Sequence, residues 1–149
     1  MSEKNLGIIG GGQLGSLLSA AAKKLDVKTT IYCNDIDAPA QHFCDNFVFG
    51  DYGDKQKILE FIRNVDVITY EFENIPYETL NEINKLKPVL PKPSVNRLIQ
   101  HRIAEKDFVN KLNIRTTRYV SIEKKSDIET LEDFLPGILK TTTMGYDGK

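Results

Sequence analysis

Several features are missing from this 149-residue sequence, and each absence removes a class of function. No apolar run approaches the roughly 20 residues that cross a bilayer. The apolar core at residues 6–9 is too short for a signal peptide, so the chain is expected in the cytoplasm, with no membrane partner. Cysteine is scarce: Cys33 and Cys44 lie eleven apart with no CxxC spacing, which reads as free buried thiols rather than a disulfide or metal pair. The two histidines, His42 and His101, have no partners at ligand spacing and read as surface residues. Twenty Lys and Arg against 21 Asp and Glu leave a net charge of −1, without the basic field that nucleic acid or an acidic membrane requires. There is no internal repeat and no low-complexity segment. What remains is an ordinary soluble composition, and a length that suits one domain or a small domain plus part of another.

The N-terminal two thirds alternate between strand and helix patterns. Residues 5–9 read as a short buried strand and lead into Gly10-Gly11-Gly12-Gln13-Leu14-Gly15, which satisfies G-x-G-x-x-G. In that motif the first glycine permits a tight turn, the second lets backbone approach a ligand, and the third lets helix and strand pack closely. The helix that follows carries Leu14, Leu17, Leu18, Ala21, Ala22 and Leu25 as a stripe at helical spacing. Further strands are expected at 28–33, 46–50 and 66–70, with a short fifth within 87–93. A helical turn is expected at 38–43 and helices at 55–65 and 77–86, the first capped by Asp54 and the second with Pro76 near its start. The fold class is therefore α/β, an open parallel sheet with helices on both faces. Ligands of such sheets sit beyond the C-terminal ends of the strands, where the Gly10–Gly15 loop and the 71–74 segment can face one crevice. Asp35, 20 residues after Gly15, stands where a dinucleotide-binding fold keeps its ribose-binding acid.

Pro91-Lys92-Pro93-Ser94 is the expected domain boundary, separating residues 1–93 from 94–149. Beyond it, helices are expected at 95–100, capped by Ser94, and at 103–112, then a strand at 118–120, a helix at 127–135 and a strand at 137–140. That last strand delivers Lys140, whose ammonium can reach a phosphate, into a segment with Gly145, Gly148 and Lys149. Glycines there allow backbone N–H groups to approach an anion. The sequence stops inside this loop, and some 50 residues are too few for a nucleotide-binding domain with its own core, so the chain reads as part of a larger enzyme.

Four segments together resemble a known family. They are Gly10-Gly11-Gly12-Gln13-Leu14-Gly15, then Thr69-Tyr70-Glu71-Phe72-Glu73-Asn74-Ile75-Pro76, then Arg102 ahead of Lys106-Asp107-Phe108, then Gly145-Tyr146-Asp147-Gly148-Lys149. In this order they resemble the 5-carboxyaminoimidazole ribonucleotide synthases, the ATP-grasp carboxylating enzymes of bacterial and fungal purine biosynthesis. The first motif alone is weak; the Tyr-Glu-Phe-Glu-Asn-Ile-Pro stretch is specific. The resemblance implies a pre-ATP-grasp, Rossmann-like domain followed by the beginning of an ATP-grasp domain. It further implies an ATP-dependent ligase that uses ATP, Mg²⁺ and bicarbonate to carboxylate 5-aminoimidazole ribonucleotide, and it allows a homodimer. The metal ligands are expected outside this chain.

The resemblance also distributes roles. Lys140 and Arg102 match ATP-contacting positions. Gly145 and Gly148 match a flap over the β- and γ-phosphates. Tyr146, Asp147 and Lys149 match loop positions that turn toward the ribonucleotide; they are the candidate catalytic residues and share in nucleotide binding. Gln13 and the backbone of Gly10 and Gly12 are expected to face the ribonucleotide, with Glu73 the first choice for a substrate-contacting carboxylate and Glu71 the second. Asp35 is assigned only to the same crevice. Two other readings stay open: an NAD(P)-dependent oxidoreductase, drawing on the glycine motif and Asp35, and a non-catalytic nucleotide-binding module.

Overall fold

The computed structural model describes residues 4–129 and 131–145. The chain divides into two compact units, residues 1–97 and 98–149.

The first unit is built on four parallel strands: β1 (Asn5–Ile9), β2 (Lys28–Cys33), β3 (Asn46–Phe49) and β4 (Val67–Tyr70), in the order β3-β2-β1-β4. The sheet pairs Ile8 with Ile31 across β1 and β2, and Ile8 with Thr69 across β1 and β4. Strand alternation sends neighbouring residues to opposite faces, so this sheet has two cores. Ile9, Tyr32, Val48 and Ile68 join Phe61 and Ile62 of α2 (Lys55–Arg63) and Leu80 and Ile83 of α3 (Tyr77–Leu86) on one face. Ile8, Ile31 and Cys33 join Ala38 and Ala40 on the other. Helix α2 starts where its cap predicts, with an Asp54 carboxylate oxygen accepting from the N–H groups of Gln56 and Lys57 at 3.0 Å each. The turn expected near 38–43 is a 3-10 helix over Pro39–His42. Both cysteines are free thiols, Cys33 buried and Cys44 half-buried.

In the first unit, the readings of the first helix and of the fifth strand change. The leucine stripe of α1 (Gln13–Lys23) faces away from the sheet: Leu14 and Leu17 are 57% and 59% exposed, and Leu18 and Leu25 are exposed as well. The buried face is instead Gly15, Ser16, Ser19 and Ala22. Helix α1 lies so close to the sheet that a Cβ on Gly15 would come within 2.7 Å of the Gly10 carbonyl oxygen, and only small residues fit that approach. The fifth strand is reduced to a single parallel bridge between Ile68 and Val89. Ile68 N–H donates to Pro88 O at 2.9 Å and Leu90 N–H donates to Ile68 O at 2.8 Å. Pro88 and Pro91 have no N–H to extend that ladder. Helix α4 (Pro93–Ile99) follows, with Pro93 and Asn96 buried.

The second unit contains α5 (Arg102–Lys111), the one-turn α6 (Lys125–Ile128) and a 3-10 turn at Glu132–Phe134. The strands expected at 118–120 and 137–140 do not form, and the helix expected over 127–135 is split between α6 and that turn. A strand needs a ladder partner, and none of the described residues pairs with these segments. Ile138 and Leu139 are accordingly exposed. No helix among the described residues is long and apolar enough to cross a membrane.

Candidate functional site

Each unit carries one group of candidate residues. In the first unit they gather where β1 and β4 end, side by side, with successive connections leaving the sheet in opposite directions: β1 leads to β2 on one side, while β4 sits on the other. This is the switch point at which open α/β sheets hold ligands. Gly10 closes β1 with φ +113°, a conformation that glycine alone adopts readily, and its N–H donates to Tyr32 O at 2.9 Å. Glu71 follows β4 directly. Its own N–H donates to Ile9 O at 3.0 Å, which locks it to the end of β1. Its carboxylate Oε1 accepts the Gly12 N–H at 2.9 Å, so the glycine loop and the acidic segment form one structure. Gln13 opens α1 just beyond, with its side chain exposed.

The two acidic candidates occupy different environments. They do not alternate along one extended segment, because the chain bends at Glu71 and turns at Glu73 and Asn74. The turn is imposed by Ile75, which is fully buried in the core below and whose carbonyl accepts from Asn96 Nδ2 at 3.4 Å. Glu71 is consequently half-buried against the loop, and Glu73 is exposed. Asp35 ends up exposed beyond β2, where its carboxylate accepts the N–H of Asp37 at 3.0 Å and so stabilises its own turn. Burial pushes the Cys33 thiol up, and the charges of Asp35 and Glu71 act in the same direction. Burial also raises the Tyr52 phenol, with Cys33 and Glu71 contributing.

In the second unit, Arg102 and Lys140 line a cleft of about 770 Å³ together with Lys106, Arg118, Tyr119 and apolar residues such as Ile103, Val120 and Leu139. The Arg102 N–H donates to Thr142 O at 2.8 Å, tying the start of α5 to the segment after Lys140. His101, expected only as a surface residue, caps α5: its Nδ1 accepts the Ala104 N–H at 3.3 Å. Two of the four cations are committed to aromatic rings. Lys106 Nζ sits 5.1 Å from the Tyr119 ring centre, and the Arg118 guanidinium lies 4.6 Å from that of Phe134. Tyr119 in turn hydrogen-bonds the Asp107 carboxylate, which raises its phenol pKa. The side chains of Arg102 and Lys140, which also line the cleft, have no such ring partner among the described residues. Gly145 is half-buried. Tyr146, Asp147, Gly148 and Lys149 lie outside the described residues.

Sequence reasoning did not identify Lys106, Arg118 and Tyr119 as lining this cleft. One signal was available: Arg102 and Lys106 stand four apart, on one face of a helix. The hold of Glu71 on Gly12 left no signal, because it joins residues 59 positions apart.

Comparison with known proteins converges on one group. A family model described as the ribonucleotide synthetase preATP-grasp domain matches residues 3–100. Over 146 residues the chain is 40% identical to the bifunctional purine synthesis protein purC/E of Dictyostelium discoideum, covering 97% of this chain and 15% of that protein. It is 35% identical to an N5-carboxyaminoimidazole ribonucleotide synthase of Staphylococcus epidermidis, covering 97% of this chain and 39% of the relative. Among solved structures, N5-carboxyaminoimidazole synthetase from Staphylococcus aureus, complexed with ADP, superposes with a TM-score of 0.87 at 30% identity, covering 98% of this chain and 40% of that one. The chain therefore spans about two fifths of the length of the synthases it matches.

Proposed function

Because this chain belongs to the ribonucleotide synthetase preATP-grasp domain family, we propose that it forms the N-terminal part of an ATP-grasp ligase that carboxylates 5-aminoimidazole ribonucleotide at the expense of ATP and bicarbonate. Residues 1–93 serve in this reading as the pre-ATP-grasp domain and residues 94–149 as the start of the ATP-grasp domain, in a cytoplasmic enzyme that assembles as a homodimer. The observation that carries it is the pair of cations, Arg102 and Lys140, in a largely apolar cleft. A cleft of this size suits a nucleotide, with apolar walls for a base and cations for phosphates. The relative whose structure holds ADP supports the same assignment.

Bicarbonate is a poor electrophile until a phosphate is attached to it, and the activated species hydrolyses readily. The enzyme must therefore hold ATP and bicarbonate together and exclude water. In this division of labour Arg102 and Lys140 bind and orient phosphates, and Gly145 and Gly148 bring backbone N–H groups over them. Tyr146, Asp147 and Lys149 face the ribonucleotide. At the sheet edge of the first unit, Gln13, the backbone of Gly10 and Gly12, and Glu71 with Glu73 contact the ribonucleotide in this reading. Mg²⁺ would be held by ligands outside this chain in this reading; among the described residues no group of three or more His, Cys, Asp or Glu side chains could hold a metal ion.

The test is phosphate release by the full-length protein that carries this sequence. ATP hydrolysis is expected to require both bicarbonate and 5-aminoimidazole ribonucleotide, and Lys140→Ala is expected to reduce kcat/KM by roughly 10²-fold or more, as for loss of a phosphate-orienting cation. NADH fluorescence that changes on binding, with no such hydrolysis, would replace this reading with the oxidoreductase one.

A further inference from the structure

The glycine motif that suggests a dinucleotide site is already occupied by the protein itself. In a dinucleotide fold the amides of this loop and the N-terminus of the following helix receive a pyrophosphate. Here the Gly12 N–H, at the N-cap of the 11-residue α1, donates to Glu71 Oε1 at 2.9 Å. The carboxylate also lies directly against the loop backbone. A Cβ on Gly10 would fall 2.6 Å from Oε1 and 2.8 Å from Cδ, and one on Gly12 would fall 3.3 Å from Oε1. The close approach that the glycines permit is thus used by a side chain from the end of β4.

Helix α1 provides nothing else of this kind. Its first turn has no acidic residue, and its N-cap has no side-chain hydrogen bond. Glu71, from 59 positions away, supplies the negative charge that a helix N-terminus favours. No described cation pairs with it, so that charge stays in place to oppose a second anion.

We propose that Glu71 is a built-in counter-anion of the glycine loop: it sets the shape of the Gly10–Gly12 backbone and closes it to phosphate and pyrophosphate, so this loop meets an uncharged part of any ligand. Phosphate groups are directed elsewhere. Glu71 is in this sense a positioning and specificity-determining residue, and the assignment does not rest on the carboxylation reading.

The test is a titration of the 149-residue chain with inorganic pyrophosphate at fixed ionic strength, following the Gly12 amide by ¹⁵N–¹H NMR. In the wild type that amide is expected to stay unmoved and protected from exchange. Glu71→Gln keeps an oxygen that can accept from Gly12, so protection is expected to persist. Glu71→Ala removes the acceptor, and the freed amide is expected to shift saturably, with pyrophosphate binding at least about tenfold tighter than in the wild type. Saturable movement of Gly12 in the wild type with the affinity of Glu71→Ala overturns the proposal. So does a Gly12 amide as unprotected in Glu71→Gln as in Glu71→Ala. If Glu71→Ala does not fold, the wild-type titration and the protection of Gly12 in Glu71→Gln, compared with wild type, decide the matter.

Discussion

At the scale of single residues, the crevice depends on contacts with no room to spare. Gly10 combines φ +113° with a carboxylate where its Cβ would be, so Gly10→Ala meets two obstacles at once. The expected cost is about 1–3 kcal/mol for the backbone conformation, with the displacement of Glu71 added to it. Chemical denaturation of the variant measures the sum. Glu71→Ala in the same chain removes the steric part and leaves the backbone part, so the Gly10→Ala penalty is expected to be smaller in that background. An equal penalty in both backgrounds would mean that the carboxylate does not press on Gly10. The cap of α2 at Asp54 was legible from local sequence because its partners are two and three residues away. That Glu71 rather than Glu73 accepts the Gly12 N–H was not, because it depends on a turn set by the burial of Ile75.

At the scale of elements, strand identity followed from β-branched runs, and α2 and α3 from their apolar faces. Helix α1 shows where that logic fails. Hydrophobic periodicity locates the apolar stripe, but close packing against the sheet selects small residues instead, and Gly15, Ser16, Ser19 and Ala22 meet that demand. Truncation experiments separate the two kinds of position. Leu17→Ala is expected to cost under about 0.5 kcal/mol, as for an exposed surface substitution, whereas Leu80→Ala, fully buried between α3 and the sheet, is expected to cost about 2–5 kcal/mol. Equilibrium unfolding of the two variants checks the order. A Leu17→Ala loss equal to that of Leu80→Ala would mean that the leucine face is covered in solution. The segments at 118–120 and 137–140 mark a second failure of local reasoning, since strand propensity becomes a strand only where another backbone supplies a ladder.

At the scale of the whole molecule, the chain corresponds to two fifths of its synthase relatives, and it brings two groups of candidate residues in two compact units. The proposed phosphoryl-transfer site would need more donors than Arg102 and Lys140 supply, since such reactions depend on many positioned charges. The 149-residue chain alone is therefore expected to bind ATP weakly and to show no bicarbonate-dependent ATP hydrolysis; sustained turnover in a phosphate-release assay would show that these residues suffice. The sequence by itself determined the α/β class, the order of strands and helices in the first unit, and the kinship with the synthases, because periodicity and motif spacing are local properties. Only the tertiary structure decided which face of α1 is buried, which glutamate holds the glycine loop and which cations of the second unit line its cleft. Those outcomes arise from packing and hydrogen bonds between residues far apart in the chain, and no local pattern encodes which of several eligible side chains will be brought into contact.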